Sequence, residues 1–404
     1  MKKILVLFLI FAMVFTFAAC GGSSSDAEEP AEEEAEAETP ESTEPIKIGF
    51  FAPITSASAS ADGESTRDSV NIAAEILNNN GGINGRPVEI VVEDDQLDTA
   101  QAQNIAEKFA SDDEIVAVIS GSYSGPTRVA APIFQDAGKV MVSAYAVHPD
   151  VVNAGDFVFS QSFPGKVQAT AAAYYAVNDM QAKKIAIIGV DLDFGTEQAE
   201  AFKKYAEENG AEIVFEQMVA ISDNEFASII TQVKGLEPDL IYLPNYYGHA
   251  AEILKQCKQQ GLDCQVLGCE GADSWQFFET AGENAEGFII TTNLNRDSED
   301  AATQEYMQLY TEKTGRMPDM TGASAYDAIQ ILFEGLKAVG TDDPEALRDY
   351  IAGMTDIETV TGNLIRYTSA GSAVKAVAVQ QVQDGAFHYY GQVDDEAIIN
   401  PDNY

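Results

Sequence analysis

Apolar residues in this chain fall into two alternating patterns. Short runs rich in Ile, Val and Phe occupy residues 46–53, 88–92, 115–119 and 140–142, and the run at 115–119, unbroken by any polar residue, fits a strand covered on both faces, as in a parallel sheet. Between them the apolar positions recur at helical spacing. Val70, Ala73, Ala74 and Leu77 do so in a segment that starts at Asp62-Gly63, and Ala102, Ile105, Ala106 and Phe109 in one that Thr99 caps. The run at 115–119 stops at Ser120-Gly121. Ser122-Tyr123-Ser124-Gly125-Pro126 then sets up a helix start, with Pro126 at the first position and Ser124 or Gly125 as cap, and the helix reaches Gly138. Residues 143–149 follow the next strand as a loop. Strand and helix alternate with no hairpin signal, the pattern of a parallel sheet with helices on both faces.

After residues 157–159 the alternation resumes. Helices at about 165–179, 194–209 and 224–234 interleave with strands at 185–190, 212–219, 240–243 and 265–268, the last leading into Cys269-Glu270-Gly271. One helix turns Phe226, Ile229, Ile230 and Val233 inward, the next Ala250, Ile253, Leu254 and Cys257. A strand at 287–292, helices at 299–314 and 322–339, a short helix from Pro344 to Ala352, and strands at 363–367 and 374–382 around a Ser-Ala-Gly turn complete the pattern. The chain reads as two successive α/β units without an internal sequence repeat.

Ligands in a parallel α/β sheet sit beyond the carboxyl ends of the strands, so the turn at 120–126 and the loop at 143–149 open onto one crevice. A helix start there offers unpaired amide hydrogens and partial positive charge, to which Ser124 adds a hydroxyl, making a seat for a carboxylate. The plainer role for Ser124 is a helix cap.

The amino-terminal segment changes the cellular picture. Lys2 and Lys3 precede an apolar run at 4–17, too short to span a bilayer comfortably, that ends in Phe17-Ala18-Ala19-Cys20. Residues 1–19 read as a lipoprotein signal, and Cys20 as a lipidated amino terminus, each buried methylene contributing about 0.8 kcal/mol to membrane attachment. An uncleaved anchor is the alternative. Residues 20–45 carry GGSSSDAEEPAEEEAEAETPESTE after the cysteine, with no aromatic or branched aliphatic residue. Such a segment cannot offset its ordering entropy and reads as a disordered acidic tether, holding an extracytoplasmic protein away from the cell membrane.

A net charge of −42, from 23 basic and 65 acidic residues, excludes nucleic acid as a partner, because phosphate binding needs a Lys/Arg footprint. Roughly 360 residues beyond the tether suffice for two lobes with separate cores. Cys257 and Cys264 are close enough to pair across a helix end, leaving Cys269 free. His148, His249 and His388 lie far from those cysteines, so no zinc site is expected. Asp94, Asp95 and Asp98 lack the glycine and distal glutamate of a calcium loop and read as turn and cap residues. Gly121-Ser122-Tyr123-Ser124-Gly125 approaches a nucleophile elbow, but its centre is tyrosine, and no HExxH, P-loop or dinucleotide glycine pattern occurs. The reading is a protein without catalysis, metal or cofactor.

Several segments carry a family likeness: Ile48-Gly49-Phe50-Phe51-Ala52-Pro53, Asn80-Gly81-Gly82-Ile83-Asn84-Gly85-Arg86, Glu93-Asp94-Asp95-Gln96, residues 124–132, Asp193-Phe194-Gly195, Cys269-Glu270-Gly271 and Ala325-Tyr326-Asp327-Ala328. In this order and spacing, from residue 46 to about 387, they resemble the leucine/isoleucine/valine-binding proteins, type I solute-binding proteins of ABC importers. The resemblance implies an α/β fold of two lobes, each a parallel sheet flanked by helices, with three hinge crossings near 163–166, 292–296 and 367–371. Lobe one would hold residues 46–164 and 294–367, lobe two 165–293 and 368–404. It also implies a monomer that closes on an amino acid and delivers it to a membrane permease.

By the same resemblance Ser124 matches the carboxylate-binding serine and Glu270 the acid that takes the α-ammonium. Tyr246 matches a pocket tyrosine, while Tyr145, Ala146 and Val147 fall in the segment that meets the head group. The chain departs from the pattern at four places. Val147 stands where a threonine hydroxyl is usual, Phe194 replaces a tyrosine, Asp62 stands where an aromatic covers the ligand side chain, and Thr321 where a large apolar residue is common. Asp62 either receives a polar or cationic end of the ligand or caps its own helix. A ligand-presenting subunit of a membrane receptor, or a binder of amides or small carboxylates, remains the alternative.

Overall fold

The computed structural model describes residues 44–404. The signal at 1–19, Cys20 and all but the last two residues of the tether lie outside the described residues.

The apolar runs become strands of two parallel sheets, those at 46–52, 115–119 and 140–142 inside the first sheet and 88–92, which carries Glu89, at its partly exposed edge. The first sheet holds β1 (Ile46–Ala52), β2 (Val88–Asp94), β3 (Ile115–Ser120), β4 (Met141–Ser143) and β5 (Val158–Ser160) in the order β2-β1-β3-β4-β5, with every pairing parallel. Its connections are α1 (Ser60–Asn79), α2 (Thr99–Ser111) and α3 (Ser124–Asp136). The second sheet is built from β6 (Lys184–Val190), β7 (Glu212–Val219), β8 (Leu240–Leu243), β9 (Gln265–Gly268) and β10 (Ile289–Thr292), parallel in the order β7-β6-β8-β9-β10. Around it run α4 (Gly165–Tyr174), α5 (Asp193–Glu208), α6 (Ala227–Leu236), α7 (Tyr247–Gln259) and α8 (Trp275–Ala281).

Three helices follow, α9 (Ala301–Thr314), α10 (Met320–Val339) and α11 (Pro344–Ala352), then a small antiparallel sheet of β11 (Thr355–Ile357), β12 (Leu364–Tyr367) and β13 (Ala373–Val374). Finally β14 (Val377–Gln383) and β15 (Ala386–Val393) add antiparallel to the β10 edge of the second sheet.

Core membership shows two lobes. Phe50, Val70, Ile119, Ile329 and Leu332 pack together in the first. Phe163, Ile187, Leu240 and Val377 do so on one face of the second sheet, and Ile188, Leu243, Ile253 and Phe288 on the other. Each fully buried Ile or Phe contributes about 1.5–3 kcal/mol. The main chain passes from one core to the other between Phe159 and Phe163, between Ile290 and Leu294, and between Ala373 and Val374, while Ala61 of α1 reaches across to the core of the second sheet.

Local expectations differ from the structure where side chains settle the matter. Asp98, not Thr99, caps α2, its Oδ1 accepting from the Gln101 amide at 2.8 Å. The helix expected from 224 starts at Ala227, because the Gln256 side chain of α7 holds the preceding turn, accepting from the Phe226 amide at 2.8 Å and donating to the Asn224 carbonyl at 3.0 Å. The strand expected at 374–382 is split where the chain leaves the small sheet for the second lobe. The β14–β15 hairpin was not expected. Its turn is Asp384-Gly385, both in the left-handed region at φ 52° and 79°, the chemistry of a two-residue hairpin loop.

Cys257, Cys264 and Cys269 are free thiols, so the expected pairing of the first two is absent. Burial pushes Cys257 and Cys269 up to about 12, which keeps them protonated and inert.

Candidate functional site

Each parallel sheet has one point where strand order reverses, between β1 and β3 in the first and between β6 and β8 in the second. Adjacent strand-end loops diverge at such a point and leave a crevice. The two crevices face each other. From the first lobe come Asp62 in the first turn of α1, Tyr123 and Ser124 at the start of α3, Tyr145 after β4, and Met320 and Thr321 at the start of α10. From the second come Phe194 in the first turn of α5, Tyr246 directly before α7, and Glu270-Gly271 after β9.

Aromatic rings fill most of the space. Tyr246 is sandwiched, its ring centroid 4.5 Å from that of Tyr123 at 13° and 4.9 Å from that of Phe194 at 15°. Tyr145 meets Tyr123 edge-on at 6.0 Å. The cavity that remains is about 20 Å³, room for a water and not for an amino acid. The cleft is therefore closed, and entry requires the lobes to part. Arg128 of α3 pairs with Asp193 of α5 at 2.9 Å at its rim, and Tyr247 donates to the Ser58 carbonyl at 3.3 Å.

Ser124 is the first residue of α3. The residue before it, Tyr123, takes the cap position, and no side chain caps the helix. The expectation that Ser124 or Gly125 caps is thereby corrected, as is the placing of Pro126, which lies two residues inside. The Ser124 Oγ accepts from the Val147 amide at 3.3 Å. That bond uses a lone pair and leaves the hydroxyl proton to give.

Asp62 caps nothing either, since the cap position of α1 is Ala59. Its carboxyl is 3 % exposed, and the Tyr123 hydroxyl donates to Oδ2 at 2.6 Å while Oδ1 has no partner. Burial, then the neighbouring Asp319 carboxyl, pushes Asp62 up to about 8. Glu270 is 2 % exposed, its Oε2 is also unpartnered, and burial pushes it up to about 8 against the hydrogen-bonding side chains of Gln168 and Ser162. Gly271 lets Glu270 approach: a Cβ there would lie 2.7 Å from the Asn245 carbonyl oxygen and 3.1 Å from the Phe194 ring.

Six of the eight expected residues, Asp62, Ser124, Tyr145, Phe194, Tyr246 and Glu270, line the cavity; Ala146 and Val147 do not. Ala146 packs among Phe134 and Met141, and Val147 behind Phe194 against Val190 and Cys269. Val147 contributes its amide instead, by orienting Ser124. Tyr123, Met320 and Gly271 were missed. Tyr123 carried a signal, since it directly precedes Ser124 beyond the strand that borders the switch point. Larger hollows of about 710 Å³ and 500 Å³ lie elsewhere on the first lobe, by Lys47, Arg86 and Asp342 and by Tyr326, Gln330 and Lys337, away from both switch points. Among the described residues no group of three or more His, Cys, Asp or Glu could hold a metal.

Known proteins share the fold and much of the sequence. Residues 45–386 match the family described as periplasmic binding protein. The leucine-, isoleucine-, valine-, threonine- and alanine-binding protein of Pseudomonas aeruginosa is 28% identical over 321 residues, spanning 79% of this chain and 85% of that one. The Leu/Ile/Val/Thr-binding protein of Salmonella typhimurium is 30% identical over 292 residues, spanning 71% and 78%. Among solved structures, a leucine-binding protein from Thermotoga maritima superposes with TM-score 0.79 at 25% identity, covering 89% of this chain and all of that one. A solute-binding protein from Rhodopseudomonas palustris in complex with 3,4-dihydroxybenzoic acid shares the fold, with TM-score 0.80 at 20% identity, covering 90% of this chain and all of that one.

Proposed function

We propose, on the premise that the chain belongs to the periplasmic binding protein family, that it captures an α-amino acid between its lobes and hands it to an ABC permease, as a monomer without chemistry of its own. The observation that carries this reading is the pairing of Ser124 and Glu270 across the closed cleft, one from each lobe and each at the carboxyl end of a strand. Ser124, with the amides that open α3, suits a carboxylate; the open Oε2 of Glu270 suits an ammonium. A zwitterion held at both poles ties the lobes together. Charge-assisted hydrogen bonds are roughly twice as strong as neutral ones, and a ligand drives closure only through contacts that the closed state makes better.

In this reading lobe one comprises 46–164 and 294–367 and lobe two 165–293 and 368–404, and Cys20 carries the lipid that holds the protein outside the cell membrane at the end of the acidic tether. A thermal-shift screen against amino acids, amides and small carboxylates tests it, because a ligand that prefers the folded state raises the melting point. The expected hits are α-amino acids. A panel in which only carboxylates without an amine shift the melting point overturns the reading. The pile of Tyr123, Tyr246 and Phe194 favours an aromatic carboxylate as the second reading; the two buried carboxyls weigh against it, since such a ligand offers neither of them a cation to pair with.

A further inference from the structure

Of the two unpartnered carboxyl oxygens that line this cleft, an aliphatic amino acid accounts for one. Its carboxylate would take Ser124 and its ammonium Glu270. Asp62 Oδ1 would remain buried without a partner, and a hydrocarbon side chain would be pressed against it. A buried acceptor left unmade is costly, and a buried charge more so.

We propose that the ligand is an amino acid whose side chain ends in a cation, an amine or a guanidinium, received by Asp62. The inference rests on the reading that the head group lies between Ser124 and Glu270, and it adds the side-chain class. Three observations support it. Asp62 projects into the cavity with one oxygen fixed by Tyr123 and the other open. Tyrosine rings gather beside it: Tyr123 is hydrogen-bonded to it, and Tyr145 and Tyr246 pack on Tyr123 with ring centroids 6.0 and 4.5 Å away. Aromatic faces around a carboxylate favour a cation over an alkyl group. Among the described residues no Lys or Arg lines the cavity, and the charged groups behind Asp62 are also acidic: Asp319, whose Oδ2 is open, and Asp273, which Arg296 already pairs. The surroundings therefore hold no competing counter-ion for Asp62. Burial first, and the Asp319 carboxyl second, hold Asp62 protonated at neutral pH.

The test is isothermal titration of the purified protein with L-lysine, L-arginine, L-leucine and L-norleucine, the last matching the lysine carbon chain without its amine. Lysine or arginine should bind at least 30-fold more tightly than norleucine. Asp62→Asn should collapse that ratio to within about 3-fold. Asp62→Leu should reverse it in favour of norleucine, and melting curves show that each variant is folded. Norleucine or leucine binding the wild type as tightly as lysine and arginine overturns this inference and leaves the proposed function standing. No binding of any of the four overturns this inference too, and the thermal-shift panel of the other α-amino acids then decides the proposed function separately.

Discussion

Replacing Glu270 by glutamine should strengthen the fold and weaken the function together. The carboxyl is 2 % exposed with Oε2 unpartnered, and burial raises it from 4.5 to about 8. Below pH 4.5 the group is protonated in both folded and unfolded chains and contributes no pH dependence. Between 4.5 and 8 the folded state keeps a proton that the unfolded chain releases, so stability falls as pH rises through that window. At pH 7 the loss is on the order of 3 kcal/mol. Glutamine is nearly isosteric and carries no such penalty. For a fold of this length each kcal/mol moves the melting temperature by roughly 1–2 °C, so Glu270→Gln should melt about 4 °C above the wild type at pH 7 and level with it at pH 4. In the same variant the ligand ammonium loses a charged acceptor, about 2–3 kcal/mol or roughly 30- to 150-fold in affinity. Scanning calorimetry at the two pH values and isothermal titration at pH 7 read both effects. A variant that melts at or below the wild type at pH 7 refutes the open buried carboxylate, and unchanged affinity refutes its role in binding.

Three further outcomes follow from the cleft. Ser124→Ala removes the hydroxyl aimed by the Val147 amide but leaves the backbone donors of α3, so affinity should fall by about 1–2 kcal/mol, roughly 5- to 30-fold, in titration calorimetry; a loss as large as that of Glu270→Gln would contradict the division of work between them. Gly271→Ala places a Cβ 2.7 Å from the Asn245 carbonyl oxygen and 3.1 Å from the Phe194 ring, so it should cost about 1–3 kcal/mol in urea unfolding and weaken binding as Phe194 is displaced. Arg128→Ala removes an ion pair at the rim that is half exposed on both sides, so small-angle scattering and titration should register a shift of at most about 1 kcal/mol toward the open form, suppressed at high salt.

The sequence by itself determined the alternation of strands and helices and hence the fold class. Runs such as 115–119 and 240–243 have no polar residue to face solvent, so they must lie inside a sheet covered on both sides. Ser124 and Glu270 were legible for a related reason: both follow such runs directly, and a parallel sheet leaves the groups at its carboxyl ends free to meet a ligand. Asp62 was legible as an oddity, but its duty was not, because a helix start accommodates an acid as a cap as easily as a cleft accommodates one as a counter-ion. Only the tertiary structure separated the two, by placing the cap position at Ala59 and the Tyr123 hydroxyl on Asp62. It alone showed that Val147 works through its amide, and it alone joined Tyr123, Tyr246 and Phe194, residues far apart in the chain and on opposite lobes, into one stack. Periodicity reports which face of an element is buried. Which distant element it is buried against depends on strand order and on the closing of one lobe over the other, and neither is written in any local stretch of chain.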